Sequence, residues 1–445
     1  MTFSALDSAL TGPLFATEAM RFAFSDSARL QAMLRMEAAL ARAQGAADLA
    51  AAIDALSPDE FDLEALGRKT AIAGVPTIPF VKAVEARLPP DLGRRFHKGA
   101  TTQDVLDTAL VLQMRDAFDL IEADLAAIME GLSQLAERHR ATPCVGRTYG
   151  QHAAPVTFGF KVAGWLAGIA ESAGQLADLR KRVLVASLGG PVGTLAGLKE
   201  QGPAIAEEFA RLLGLNPTPI AWHTLRARAA ETGSWLAILV GALAKMAVDI
   251  AHLASTEVGE VAEPHVPGRG GSSAMPHKRN PVSATIILSA HAAAKGPVTT
   301  LLDAMAAAHE RPAGLWHAEW HALPTLFGLA SGALREARVL AEGLVVHPDR
   351  MRANLDITRG LLFADAAASR LAPHVGREEA HALVEKAAGM VRDGADDLGA
   401  AIRRLTPHDV SDAFDLEPAI RAAGPWIDRA LAETVRMRAL LKQNR

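Results

Sequence analysis

Between Thr108 and His139 the chain has no proline and a single glycine, Gly131, and its apolar residues fall at Leu110, Met114, Ala117, Ile121, Leu125, Ile128, Leu132 and Leu135. Steps of three and four residues place these on one stripe of an α-helix. At 1.5 Å per residue such a helix runs roughly 50 Å, far beyond the usual globular helix of about 11–12 residues. It needs partners of similar length, and the pattern predicts four: Pro155 to Leu184, Thr224 to Val261, Pro281 to Glu310, and one beginning near Trp320. The set predicts an all-α chain with a central bundle of about five long helices. An N-terminal lobe ends near Gly99 and a C-terminal lobe starts near Asp356, which divides the chain into helical domains at 1–103, 104–355 and 356–445. No internal repeat, heptad-only rod or low-complexity tract interrupts the pattern.

Composition agrees with this reading. The 445 residues exceed the roughly 250–300 at which single cores stop growing, so several lobes or an oligomer are expected. Half the residues are hydrophobic and only 5% aromatic; Ala, Leu, Val and Ile carry the apolar content, which suits closely packed helices. A net charge of -4, from 46 Lys+Arg against 50 Asp+Glu, argues against a nucleic-acid partner drawn by a global positive field. The lone Cys144 excludes an intramolecular disulfide, and the start MTFSALDSAL lacks the profile of a signal peptide, so the cytoplasm is expected. The most apolar stretch, Trp235 to Leu253, contains Lys245, Asp249 and His252, which predicts a buried bundle helix and no membrane partner.

Candidate chemistry lies in three breaks between the helices. The first, Lys98-Gly-Ala-Thr-Thr-Gln-Asp104, leads into the longest helix. With Thr101 or Thr102 as N-cap, hydroxyls and free backbone N–H groups point at one spot, a natural carboxylate receptor. The second, Gly146-Arg-Thr-Tyr-Gly-Gln-His152, offers a guanidinium fork in Arg147, hydrogen-bonding groups in Tyr149 and Gln151, and a titratable group in His152. The third, Gly268-Arg-Gly-Gly-Ser-Ser-Ala-Met-Pro-His-Lys-Arg-Asn-Pro281, begins with glycines that permit movement. It ends on Asn280-Pro281, a good N-cap and first-turn pair for the next helix. No Gly-Lys-Ser/Thr follows the glycines, so this is not a phosphate-binding P-loop. A serine becomes a base only if its oxyanion is stabilised, and Lys278, Arg279 and the following helix N-terminus could supply that potential.

GSSAMPHKRNP closely resembles the signature loop of the fumarase/aspartase superfamily, and GATTQDVLDTA and GRTYGQHAAPVTFG resemble its two other signature regions, in the same order. The similarity covers most of the chain. It implies three helical domains, a homotetramer around a large helical bundle, and active sites assembled from loops of three different subunits. It also implies a loop serine that exchanges a proton with carbon: Ser272 by position, with Ser273 as the alternative. Lys278 and Asn280 would hold a substrate carboxylate, and Thr101, Thr102, Gln103 and Met275 would line the pocket.

Most lyases of the superfamily carry His where this chain has Tyr149, and the segment that bears an Arg-His-Asp triplet in adenylosuccinate lyases reads Ala73-Gly-Val-Pro-Thr-Ile-Pro-Phe80 here. Bacterial 3-carboxymuconate cycloisomerases are similar in having an aromatic residue at that position, an AGxxxIP segment and ERPAGLWHAEW-like text, present here from Glu310 to Trp320. This branch implies a small tricarboxylate substrate and a step of aromatic catabolism. A lyase releasing fumarate from adenylosuccinate, argininosuccinate or nitrosuccinate is the alternative. His152 is the candidate for orienting substrate or shuttling the proton, and helix packing together with pocket lining accounts for Trp316 and Trp320. His317, Glu319 and His321 do not follow the zinc-protease HExxH order and no dinucleotide fingerprint is present, so neither metal nor cofactor is expected.

Overall fold

The computed structural model describes residues 3–442. Five long helices form its centre: α1 (Thr102–Arg138), α2 (Phe158–Val183), α3 (Ala227–Leu253), α4 (Val282–Asp303) and α5 (Leu315–Gly343). The expected seam of α1 is its buried face: Ile121, Leu125, Ile128 and Leu132 are fully or almost fully enclosed. Two sets of contacts fix the directions. Asp107, near the start of α1, meets Arg226 just before α3 and Trp316 in the first turn of α5. Near the other end of α1, a Cβ on Gly131 would stand 2.9 Å from the Ala341 carbonyl of α5. Thus α1, α3 and α5 run one way and α2 and α4 run back.

The main departure from an all-helical expectation is a hairpin, β1 (Pro143–Thr148) and β2 (Gln151–Thr157), between α1 and α2. Pro155 does not open a helix; it pairs with Val145 in the ladder. Helix α2 begins at Phe158, where the Thr157 hydroxyl accepts the Phe160 N–H at 3.1 Å. Cys144 lies in β1, and burial pushes its thiol up to about 12. A second small ladder, β3 (Val261–Ala262) with β4 (Val345–Val346), ties the end of α3 to the end of α5.

Asn280 does not cap α4. The helix opens at Val282, and its first-turn donors Ser283 N and Ala284 N go to the Glu263 carboxylate at 3.0 and 2.9 Å. A carboxylate is a stronger acceptor for those N–H groups than an amide and also meets the positive end of the helix dipole.

The helix Asp26–Ala43 lays Leu30, Met33 and Leu40 into the main core against α1. Residues 361–414 enclose a separate small core around Leu371, Val384 and Ile402. The last helix, α6 (Glu417–Lys442), returns to pack along α2, and its Ile427 and Met437 join the main core. Helix α3 is long and apolar enough to cross a membrane, yet half of its most apolar window is buried in the bundle. Its Asp249 accepts from the Trp165 indole at 2.6 Å and pairs with Lys245.

Candidate active site

The first signature segment sits at the start of α1. Thr101 is the N-cap, and its backbone N–H donates to Asp104 at 2.9 Å. Asp104 is buried and also accepts from Gly189 N at 2.8 Å and Gly190 N at 2.9 Å, with His223 Nε2 at 2.6 Å. One carboxylate therefore fixes the threonines against the 187–195 loop. Thr102 is half-buried, and Arg311 donates to the Thr101 hydroxyl.

Gln103 does not line this spot. Its side chain is fully buried and points into the bundle, donating to the His223 carbonyl at 2.8 Å and to Asp107 at 3.2 Å. Trp316 is likewise a packing residue, almost enclosed, with its indole N–H on Asp107 at 3.0 Å. Both belong to a buried polar cluster centred on Arg226, which holds Asp107 at 2.8 and 3.0 Å and also pairs with Glu319. Burial opposes the charge on Arg226, but Asp107 and Glu319 outweigh it and keep the guanidinium charged. Glu319 is thereby committed to an arginine.

The second segment is the tip of the β1–β2 hairpin. Tyr149 and Gly150 form a two-residue turn with φ of 51° and 77°, the left-handed pair of a type I′ hairpin. Tyr149, the only tyrosine of the chain, is fully exposed at the tip. A register shift after Gly146 sets Arg147 opposite His152. Partial burial and then Arg147 lower the His152 pKa from its ordinary value, so the imidazole stays neutral near pH 7, and its buried Nδ1 has no partner. Gln151 is exposed beside the turn.

Arg147 itself has no free fork. Its guanidinium grips the buried Glu260 at 2.5 and 3.2 Å, and Asn354 donates to the same carboxylate at 2.8 Å. The residue expected to clamp a substrate carboxylate instead ties the hairpin to the segment before β3. Nothing near Arg147 in sequence signals this, because Glu260 lies 113 positions away.

The third segment is an exposed loop with a closed stem. Asn280 N donates to the Gly270 carbonyl at 2.8 Å, and Gly271 bridges to Arg279. Gly270 has φ +70°, and a Cβ there would stand 2.7 Å from the Asn280 carbonyl, so only glycine fits. Arg269 anchors the stem on Ser283 at 2.9 Å and on Glu336. Within the loop, the Ser272 hydroxyl accepts the N–H of Met275 at 3.1 Å and of Ala274 at 3.4 Å. Two backbone donors thus converge on the one oxygen that would carry charge if Ser272 lost its proton. Ser273, Met275, Lys278 and Asn280 are all exposed around it.

These segments do not meet within one chain. Helix α1 has 37 residues, so its ends are roughly 55 Å apart. Thr101 and Thr102 stand at its start, whereas the hairpin follows its end, held by Gly159 N on the His139 carbonyl at 2.9 Å. The third segment belongs to the hairpin end, since Arg147 grips Glu260 just ahead of it. The nine residues between the Gly270–Asn280 stem could reach about 16 Å at most. A cleft of about 670 Å³ between the N-terminal turns and α5, lined by Phe22, Phe24, Trp320 and Pro324, contains none of the three segments.

Comparison with known proteins places this arrangement. Residues 15–296 match the family model described as Lyase. The chain is 48% identical over 395 residues, 87% of its length and 92% of the relative's, to a 3-carboxy-cis,cis-muconate cycloisomerase of Pseudomonas putida. It is 42% identical over 450 residues, 96% of its length and 95% of the relative's, to a nitrosuccinate lyase of Streptomyces davaonensis. The crystal structure of 3-carboxy-cis,cis-muconate lactonizing enzyme from Pseudomonas putida superposes with a TM-score of 0.92 at 43% identity, covering 97% of this chain and 100% of that one. The chain belongs to the Lyase family and has the fold of the fumarase/aspartase superfamily.

Proposed function

We propose that this chain is a 3-carboxy-cis,cis-muconate cycloisomerase, closing its substrate to 4-carboxymuconolactone in the protocatechuate branch of the β-ketoadipate pathway. The observation that carries the chemistry is the Ser272 hydroxyl under the N–H groups of Ala274 and Met275. In the reaction a carboxylate oxygen of the substrate adds to a carbon of the diene, and the displaced π-electron pair collects on the carbon next to a second carboxylate. That carbon takes a proton from Ser272, whose alkoxide is stabilised by the two N–H groups and by Lys278, and solvent restores the hydroxyl proton. The nucleophile is part of the substrate, so no acid is needed for a departing group. Tyr149 at the position of the usual His agrees with this. His152, held neutral, is suited to orienting the substrate or relaying the proton.

The work of the site is positional and electrostatic: a trianion must be held in attack geometry while negative charge shifts between its carboxylates. Thr101, Thr102, Lys278 and Asn280 are the groups suited to it. They lie at opposite ends of one bundle, so the site forms where the α1 start of one copy meets the loop and hairpin of others, in a homotetramer. The exposed apolar residues Ile238 and Val248 on α3 and Leu302 on α4 support a second copy against the bundle. The proposed compartment is the cytoplasm.

The 42% identity to a nitrosuccinate lyase over nearly the whole chain favours one second reading, β-elimination from nitrosuccinate. An ultraviolet assay with 3-carboxy-cis,cis-muconate, followed by NMR of the product, separates the two. Loss of the diene with lactone formed supports the cycloisomerase. An unchanged diene, with nitrosuccinate consumed and fumarate released, would establish the lyase instead.

A further inference from the structure

The structure assigns to Arg311 the role of a substrate-carboxylate ligand beside Thr101, an inference that rests on the tricarboxylate reading above. Arg311 lies in the connection between α4 and α5, at the end of the bundle where α1 starts. It donates one N–H to the Thr101 hydroxyl, its Nε is buried without a partner, and among the described residues no carboxylate pairs with it. Four other arginines withdrawn from solvent have one, Arg147 on Glu260, Arg180 on Asp119, Arg226 on Asp107 and Glu319, and Arg269 on Glu336, while Arg29 has only the nearby charge of Asp26.

A guanidinium offers five donors in a planar fork, and Arg311, half-buried with a hydroxyl as its partner, has no counter-charge from a carboxylate among the described residues. An anion is the complement of such a donor set. The Thr101 hydroxyl, accepting from Arg311, keeps its own proton free to donate. A carboxylate placed there would receive the remaining arginine donors and the threonine O–H together, at the positive end of the 37-residue α1. The fork that sequence reasoning gave to Arg147 is filled by Glu260, whereas the fork at Arg311 is open. Arg311 therefore holds a substrate carboxylate beside Thr101.

Steady-state kinetics of the full enzyme with 3-carboxy-cis,cis-muconate test this, using Arg311→Gln, which removes the charge, and Arg311→Lys, which keeps it without the fork. Arg311→Gln is expected to raise KM about tenfold or more, and Arg311→Lys to raise it less, with kcat changed less than KM in both. The Ki of the competitive probe propane-1,2,3-tricarboxylate should rise in parallel, with circular dichroism and oligomer size unaltered. A KM within twofold of the parent in a folded Arg311→Gln overturns the assignment; if that variant does not fold, the same result in Arg311→Lys overturns it. If the parent enzyme leaves the muconate untouched, the substrate reading fails first. The comparison then passes to nitrosuccinate, where a KM unmoved by either variant rejects Arg311 separately.

Discussion

Ser272 differs from Ser273, the other hydroxyl of its loop, in the company its oxygen keeps, the N–H groups of Ala274 and Met275. Ser272→Ala should lower kcat by roughly two to four orders of magnitude with the oligomer intact, and near-normal turnover would remove the serine from the mechanism. Tyr149 pays in backbone strain for its place at the hairpin tip. A tyrosine at φ 51° costs about 1 kcal/mol relative to a residue that accepts the left-handed region. Tyr149→Asn should therefore raise the urea midpoint while lowering kcat/KM; a loss of stability would show that the ring is held by contacts within the chain. His97, just before the first segment, pairs with the buried Glu37 at 2.6 Å. Burial lowers its pKa, but the hydrogen bond and charge of Glu37 outweigh this and the net shift is upward. The stabilisation is then complete below about pH 6.5 and disappears as pH rises through the folded-state value. His97→Ala should cost more stability at pH 5.5 than at pH 9, measured by denaturant melts. The glycines and the closed stem of the serine loop follow from residues adjacent in sequence, whereas the fork of Arg147 is filled by Glu260, a partner remote in the chain that no local pattern announces.

At the level of elements, the same rule of threes and fours that revealed α1 also explains why Gln103 and Trp316 are buried. Carried upstream from Leu110, the seam passes through Asp107 and Gln103; on α5, Trp316 and Glu319 continue to Leu323 and Leu326. Their burial was legible in the periodicity but masked by polarity, since a polar residue on a seam reads as a site until its partner is known. That partner is Arg226, which joins the starts of α1, α3 and α5. Arg226→Met should lower unfolding stability by about 3–5 kcal/mol, because it leaves Asp107 and Glu319 buried without their counter-charge; a change below about 1 kcal/mol would mean the cluster is solvated. The hairpin was missed for a different reason. Pro155 followed by an apolar run looks like a helix start, and only the ladder with β1 reveals that the helix waits until Phe158.

On the scale of the whole molecule, the up-and-down bundle separates what the chemistry needs together. The threonines and Arg311 mark one end, and the serine loop, His152 and Tyr149 the other, roughly 55 Å away. Long helices were evident from the sequence, but the separation depends on their directions, which the buried Asp107 cluster and the Gly131–Ala341 contact establish. The proposed sharing of sites between copies rests on this separation. Hybrid oligomers made by co-expressing a Ser272→Ala chain with a Thr101→Val/Thr102→Val chain, each inactive alone, test this most directly. Random assembly gives a site with both segments intact roughly one time in four, so the hybrids should recover about a quarter of parental activity. Hybrids as inactive as either parent variant would mean that one chain supplies both segments, contradicting the bundle geometry described above.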